Sequence, residues 1–380
     1  MGMSNVWQCS GNKKSNEPIN VLLTGATGFL GSHILAEIIN TYPNVTLYCV
    51  IRNKPNKNYK DRLKEILHYY FGEKYDLLID DKIIPIDGDL VRDNLGMDVT
   101  LYKTLVGKIN YVINGASLVK HYGDYNLFYN SNVVTVKNLI KFAKEANATL
   151  NHISTTSVSG NYLVQNDIEY DFTENDFYIG QNYKDNVYVR TKFEAENEVF
   201  KAQNEGLKVN VFRIGNLMQR VSDGKFQINK FDNAYFKRIY GFIKLGKLPN
   251  NLSNQKLEFT PVDSCARAIV KLMTYENKVF HLLNNNLISI TNLIHVLHHY
   301  NVNIEFISPE DFLEFIHNEK NHNYLENFIT DLNNSKNLNY DTKITINDNL
   351  TREYLKHSSF TWPNITNEYL DLFIKNILED

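Results

Sequence analysis

The sequence predicts an α/β chain: a Rossmann-type doubly wound parallel sheet with a smaller, mainly helical C-terminal substrate lobe. Three observations predict it. Short apolar runs alternate with helical patterns over the first two hundred residues, a rhythm that requires right-handed crossovers and hence parallel strands. Gly25, Gly28 and Gly31 sit where the first apolar run gives way to the first helix. After Ile214 the alternation stops, and aromatic, basic and turn residues mix.

Composition sets the outer limits. With 380 residues, 43% of them hydrophobic, the chain can bury one large core plus a smaller lobe, and wholesale disorder is excluded. A formal net charge of -3 gives no global pull toward nucleic acid or membrane. Cys9, Cys49 and Cys265 are odd in number and lack ligand spacing, which points to a reducing compartment with neither a disulfide scaffold nor a metal site. Residues 1–18 are polar and lack the apolar core of a signal peptide, so they read as a linker or tag. No apolar run approaches the ~20 residues of a membrane span. A cytoplasmic location is expected.

Ile19–Leu23 is an apolar run of strand length, and Leu30, Ile34, Leu35, Ile38 and Ile39 then recur on one helical face. Val45–Ile51 is the second strand, followed by a charged helix over Tyr59–Phe71. Lys82–Ile86 and Tyr111–Ile113 are further strands, and Asp124–Asn147 reads as one long helix. Leu150–Ser154, a helix over Val187–Asn204 and Val209–Ile214 complete the alternation. The expected domains are a Rossmann domain over 19–219, with 259–285 returning to it, and a lobe made of 220–258 and 286–380. The lobe ends in a stripe of Tyr369, Leu370, Phe373, Ile374, Ile377 and Leu378.

Thr24-Gly25-Ala26-Thr27-Gly28-Phe29-Leu30-Gly31 joins the first strand to the first helix. In such a turn the first glycine allows the tight bend, the second lets a pyrophosphate approach the backbone, and the third lets helix and sheet pack closely. The helix N-terminus supplies free N–H groups and partial positive charge. A bare glycine triplet says little, but this strand–turn–helix setting predicts a dinucleotide cofactor. The end of the second strand selects its ribose, an acidic residue suiting a 2′-hydroxyl and an arginine a 2′-phosphate. Here Cys49-Val50-Ile51 leads to Arg52, with Arg62 ten residues on, so NADPH is expected. The plainer reading of either arginine is a solvated charge. Asp89 and Leu90 follow the third strand, where adenine would lie, and Gly115-Ala116-Ser117 follow the fourth, beside the nicotinamide ribose.

Tyr188 and Lys192 open a helix and share its face, one turn apart. A phenol ordinarily titrates near 10, and a neighbouring ammonium with an oxidised nicotinamide would bring it toward working pH. Tyr188 is then a proton donor to a reduced carbonyl, and Lys192 also holds the nicotinamide ribose. Ser154, Thr155 and Thr156 end the fifth strand. Any of these hydroxyls can bond a developing oxyanion, or simply cap backbone groups. Ile214, ending the next strand, is placed with the cofactor-binding residues.

Together these motifs resemble extended short-chain dehydrogenases. A finer similarity runs through Leu23–Gly31, Cys49–Arg52, Asp61-Arg62-Leu63, Gly88-Asp89-Leu90 and the stretch Gly115-Ala116-Ser117-Leu118-Val119-Lys120-His121-Tyr122-Gly123. It continues in Asn132-Val133, Tyr188–Glu196, Val221-Ser222-Asp223-Gly224-Lys225 and Phe259-Thr260-Pro261-Val262-Asp263. This set resembles the terminal thioester reductase domain of nonribosomal peptide synthetases, a relative of carboxylic acid reductases, from Ile19 to about residue 285. Counting back from Gly160 against the family pattern selects Thr155 as the hydroxyl donor, where many superfamily members carry serine; Thr156 and Ser154 remain alternatives. The resemblance implies an acyl or peptidyl thioester on a carrier protein's phosphopantetheine arm as substrate and NADPH as hydride donor. Thr155 and Tyr188 would steady the oxyanion, and the thiohemiacetal would collapse to aldehyde and thiol, with a second hydride giving the alcohol. It also implies a monomer or one part of a multidomain synthetase.

Other readings share some of these motifs. A fatty acyl-CoA reductase is close. A nucleotide-sugar epimerase or dehydratase has the same cradle, but many favour NAD, against Arg52. A non-catalytic dinucleotide sensor would lack Tyr188 and Lys192. Finally, Asp223 to Lys247 carries Lys225, Lys230, Lys237, Arg238, Lys244 and Lys247 against Asp223 and Asp232. This excess predicts a docking face for an acidic carrier protein, or a solvated helix face. Tyr235, Phe236, Tyr240 and Phe242 lie among the bases and offer an acyl pocket instead.

Overall fold

Strands separated by a helix cannot pair as hairpins, so each returns by a crossover and lies parallel to the last. The computed structural model describes residues 18–119, 123–160, 163, 169–318 and 344–378. In chain order its strands are β1 (Ile19–Thr24), β2 (Val45–Ile51), β3 (Ile83–Asp87), β4 (Tyr111–Asn114), β5 (Thr149–Thr155), β6 (Tyr170–Phe172), β7 (Val209–Ile214) and β8 (Leu217–Met218). Then come β9 (Lys247–Pro249), β10 (Lys256–Leu257), β11 (Thr260–Pro261), β12 (Lys278–Leu282), β13 (Ile288–Ser289), β14 (Glu305–Ile307) and β15 (Ile344–Ile346). One seven-stranded sheet has the order β12-β7-β5-β4-β1-β2-β3, and every pairing in it is parallel. The order reverses between β1 and β4, the switch point where open α/β sheets leave a crevice at their carboxyl ends. Register places Thr24 beside Val50 and Asn114, and Thr155 beside Ile214. The chemistry-bearing residues therefore end along one edge.

The helices are α1 (Phe29–Thr41), α2 (Tyr59–Phe71), α3 (Val99–Val106), α4 (Tyr125–Tyr129), α5 (Thr135–Ala146), α6 (Val187–Asn204) and α7 (Ala234–Leu245). They continue with α8 (Val262–Leu272), α9 (Ile290–His298), α10 (Pro309–Asn318), α11 (Asn349–His357) and α12 (Asn367–Leu378). The expected single helix over 124–147 keeps its ends. Asp124 accepts from the Leu127 N–H at 3.0 Å, and Asn147 closes the helix in the left-handed region, φ 50°. Its interior differs: a π turn, Asn130–Val134, separates α4 from α5. One extra residue per turn lets Asn132 leave the helix surface and bond the β4 loop, and such turns often mark functional sites.

Three apolar clusters hold the molecule. The first packs α1 and α8 on one sheet face, with Leu355 and Phe360 from and beyond α11. The second covers the other face with α3, α5 and α6. The third is the lobe, built from α7, α9, α10 and α12. The chain after residue 286 thus divides its packing: β15 pairs with β6 and α11 joins the sheet, while α12 closes the lobe. Cys49 and Cys265 are buried, and burial pushes both thiols up, away from reactive thiolate. Among the described residues no helix is long and apolar enough to cross a membrane.

Candidate active site

The cradle is built by backbone fitting backbone. Gly25 has φ 76°, and a Cβ there would meet the Gly115 carbonyl carbon at 2.5 Å. A Cβ on Gly31 would meet the Gly25 carbonyl carbon at 2.6 Å. Thr24 is fully buried behind them. Its hydroxyl donates to Asn114 Oδ1 at 2.9 Å and accepts from the Ala116 N–H at 3.2 Å, tying the loops after β1 and β4 together. Gly28 precedes α1 and no side chain caps the helix, so the first-turn N–H groups keep no intrahelical acceptor. Thr27, Gly28, Phe29, Leu30, Gly31, Gly115 and Ser117 line a cleft of about 940 Å³. Thr24, Gly25 and Ala116 support that wall from behind.

At the end of β2, Arg52 is exposed and Arg62 is half-buried against it. Arg62 donates to the Arg52 carbonyl and, at 3.4 Å, to Thr27 Oγ1. Burial, then the charge of Arg52, holds the Arg62 guanidinium below its usual range. Two guanidiniums crowd together with no carboxylate accepting from either among the described residues, which is a setting for an anion. Arg62 lines the cleft and Arg52 stands just outside its lining. Asp89 and Leu90 are not brought to the cleft: Asp89 pairs with Arg92 at 3.4 Å, and the Leu90 carbonyl accepts from Asn138 at 2.8 Å.

Thr155, Tyr188, Lys192 and Ile214 do meet in the cleft. Asn186 caps α6, accepting from the Tyr188 and Val189 N–H groups at 2.9 and 3.1 Å, which sets Tyr188 in the first turn. Thr155 shares a side-chain hydrogen bond with Tyr188. Ser154 donates instead to buried Glu196, and Thr156 to the Ile214 carbonyl at 3.4 Å. Of the three candidate hydroxyls, Thr155 is the one joined to the tyrosine.

The pKa lowering expected for Tyr188 needs an oxidised nicotinamide as well as a neighbouring ammonium, and the protein's own groups do not supply it. Burial raises this pKa to about 12, and the Thr155 bond opposes this only in part. The Lys192 ammonium donates to the Ile153 carbonyl at 2.6 Å. Lys192 is itself 4% exposed, and burial lowers its pKa to about 8 against the pull of Glu196. Tyr188 therefore keeps its proton at neutral pH, the form a proton donor needs.

Several supporting residues escaped sequence reasoning. Glu196 lies one turn beyond Lys192, and Arg213 from β7 reaches it at 2.9 Å with both side chains fully buried. Arg213 also donates to the Asp176 carbonyl at 2.8 Å and meets His281 Nε2 at 3.1 Å. Burial, then Arg213, lowers the His281 pKa to about 3. The Lys192-to-Glu196 spacing was the available signal. Asn132 accepts from the Leu118 N–H at 2.7 Å and donates to Thr191 Oγ1 at 3.0 Å, pinning the β4 loop to α6. Asn216 gives its N–H and side-chain amide to Glu258 at 2.9 and 2.8 Å beside the cleft. Two of the resembling stretches also touch, the Val221 N–H donating to Asp263 at 3.2 Å. Lys120, His121 and Tyr122 lie outside the described residues.

The basic residues between Asp223 and Lys247 are half-buried or exposed, and several have partners in the structure. Lys225 donates to the Tyr69 carbonyl at 2.9 Å, and Lys230 to the Asn376 carbonyl at 2.6 Å. Lys247 pairs with Glu305 at 3.1 Å, and Lys244 lies over the Tyr240 ring. Arg238 lines the cleft. Lys225 thereby joins the stretch after β8 to α2, and Lys230 joins it to α12.

Comparison with known proteins agrees with this geometry. The NAD-binding family described as "Male sterility protein" matches residues 23–269. A thiolation-reductase di-domain from an archaeal nonribosomal peptide synthetase is 33% identical with a TM-score of 0.84, over 96% of this chain and 76% of that one. The reductase domain of the aureusimine biosynthetic cluster has a TM-score of 0.76 at 26% identity, over 95% and 90% of the two chains. A linear gramicidin synthase of Brevibacillus parabrevis is 26% identical over 302 residues, 78% of this chain. The chain spans 6% of that synthase and 19% of the L-2-aminoadipate reductase large subunit of Candida glabrata. With a match over most of its length and a backbone that follows theirs, the chain belongs to this NAD-binding family, among the terminal reductase domains of nonribosomal peptide synthetases.

Proposed function

We propose that the chain performs NADPH-dependent reductive release of an acyl or peptidyl thioester from a carrier protein's phosphopantetheine arm. The observation that carries this reading is a single cleft lined by the cradle, by Thr155, Tyr188 and Lys192, and by α7 of the lobe. Its fit to the cofactor rests on the uncapped start of α1 and the two arginines beyond β2. When bound, NADPH supplies the hydride. The first-turn N–H groups of α1 hold the pyrophosphate, Arg52 and Arg62 the 2′-phosphate, and Lys192 the nicotinamide ribose. Thr155 and Tyr188 donate to the oxygen of the thioester carbonyl as it gains charge, and Tyr188 passes its proton to that oxygen. Loss of the thiolate, which takes up a proton, leaves an aldehyde. The balance is thioester, NADPH and H⁺ to aldehyde, thiol and NADP⁺, and a second hydride would give the alcohol. A carrier protein as partner is supported by the di-domain relative, in which thiolation and reductase domains are joined.

A second reading, acyl-CoA reduction, draws on fatty acyl-CoA reductase 8 of Arabidopsis thaliana, 32% identical over 154 residues. NADPH oxidation followed by absorbance, with an acyl-pantetheine thioester, an acyl-CoA or a nucleotide sugar, separates the readings. Turnover of the pantetheine thioester with aldehyde formed is the expected result. Turnover of the nucleotide sugar alone would overturn the proposal.

A further inference from the structure

Behind α7 lies a second, smaller and partly open space within the lobe. Its walls include Ile239, Phe242, Ile243, Ile290, Leu293 and Ile294, all buried. Tyr235 and Arg238 line both this chamber and the main cleft, so they form the partition between the two. Tyr235 is anchored there, its hydroxyl accepting from the Glu258 N–H at 3.1 Å. The four aromatics that stood among the bases in the sequence therefore separate into two roles. Tyr235 and Phe242 line the chamber, whereas Phe236 and Tyr240 pack on Phe231 in the lobe core.

The chamber offers about 30 Å³ to the centre of a water-sized sphere. A buried water needs about 10–15 Å³ on that measure, so the space admits two or three carbon-sized groups. A water there would find few partners, and apolar cavities of this kind stay dry and accept hydrocarbon. A polar or charged group would lose its hydration to a wall of isoleucine and leucine.

We infer that this chamber receives the apolar tip of the acyl group, a branched aliphatic end of two or three carbons, while the thioester lies at Thr155 and Tyr188. The inference rests on the proposed reductase reading, because it takes the reacting carbon to be at Tyr188. Arg238, at the partition, stands beside the polar middle of the acyl chain, and only the tip passes beyond it. The substrate class is thus an acyl or peptidyl thioester with an aliphatic, uncharged distal group.

The test uses two sets of pantetheine compounds carrying acetyl, 4-methylpentanoyl or succinyl groups: reducible thioesters, and amides that cannot be reduced. Calorimetry measures amide binding and absorbance measures thioester turnover. Each buried methylene is worth about fourfold in affinity, so the 4-methylpentanoyl amide should bind roughly 15-fold or more tightly than the acetyl amide, and the succinyl amide no better than acetyl. Ile294→Phe fills the chamber and should remove the preference for 4-methylpentanoyl while leaving acetyl binding alone. Ile243→Ala enlarges it and should move the preference toward a longer, octanoyl chain. Opposite shifts in the two variants cannot come from loss of folding. If amide binding discriminates as expected but no thioester is reduced, the reductase reading fails and the chamber stands. If thioesters are reduced and neither variant changes chain preference, the chamber assignment is wrong and the reductase reading stands.

Discussion

The two sides of the cleft are held by different kinds of contact. On the sheet side, Gly25 presses on the Gly115 backbone and Gly31 on that of Gly25, with no room for one added carbon on either. On the lobe side, the walls are side chains of α7 and α9 around an apolar space. The sheet side is fixed for one ligand because any change moves main chain. The lobe side can be reshaped by exchanging an isoleucine or phenylalanine without disturbing the sheet.

The hardest blow to the comparison is Gly31→Ala. The added carbon collides with the Gly25 carbonyl, and neither loop can retreat because Thr24 ties both to Asn114. Loss of measurable NADPH binding by calorimetry is expected, with destabilisation at the upper end of the about 1–3 kcal/mol typical of overpacking. Normal NADPH affinity in this variant would break the claim that backbone fit defines the sheet side. Next in size is Tyr188→Phe, which removes the proton and leaves the ring. Turnover of a pantetheine thioester should fall by about 10²–10⁴ while NADPH affinity holds. Near-normal turnover would transfer the donor role to Thr155.

That contrast also explains what the sequence revealed. Backbone-built features leave residue-type signatures: the glycines of the cradle, the alternation that gives β1 to β5 and β7, and the capping Asp124 and Asn147 of the long helix. Side-chain environments do not. Tyr188 and Lys192 were legible by their spacing, but the direction of the tyrosine's pKa was not. It is set mainly by burial, opposed by the Thr155 bond, and burial belongs to the packed fold rather than to any local pattern. The π turn at Asn130–Val134 was hidden because its residues fit an ordinary helix. The partners of the basic stretch were hidden for the same reason: Lys225 and Lys230 find theirs about 150 residues distant in sequence, and no local pattern records that.

A smaller effect sharpens the account of the cofactor side at its rim, where side chains take over from backbone. Arg52 and Arg62 are expected to share the 2′-phosphate, so Arg52→Ala should narrow the preference for NADPH over NADH without ending it. Hydrogen bonds to a charged group are worth about 1.5–3 kcal/mol, so a loss of about tenfold or more in NADPH affinity is expected, with NADH affinity unchanged. Titrations of both cofactors measure this. Equal losses for NADPH and NADH would place Arg52 in the fold rather than on the phosphate.

The smallest expected effect is a shift along the pH axis, and it tests the bridge between the two sides. Lys192 ordinarily would titrate at 10.5 and here is lowered to about 8, burial being the main cause and Glu196 opposing it. Because the folded value lies below the unfolded one, the folded chain binds fewer protons between about pH 8 and 10.5. Its stability contribution therefore rises with pH across that window, and the burial penalty is complete below it. Activity runs the other way. If the ammonium holds the ribose, kcat/KM, which reports groups of the free enzyme, should fall on an alkaline limb near pH 8. Tyr188, at about 12, is too high to produce that limb. Lys192→Arg keeps a cation that does not titrate in this range, so the limb should move up and out of the window, whatever the variant does to the absolute rate. Glu196→Gln removes the charge that props the ammonium up and should move the limb down. It also leaves Arg213 buried without its partner, a loss of about 3–5 kcal/mol, so the profile must be taken where unfolding curves show the variant folded. An alkaline limb that stays in place in both variants would mean that Lys192 acts only through Ile153, as a strut for the end of β5.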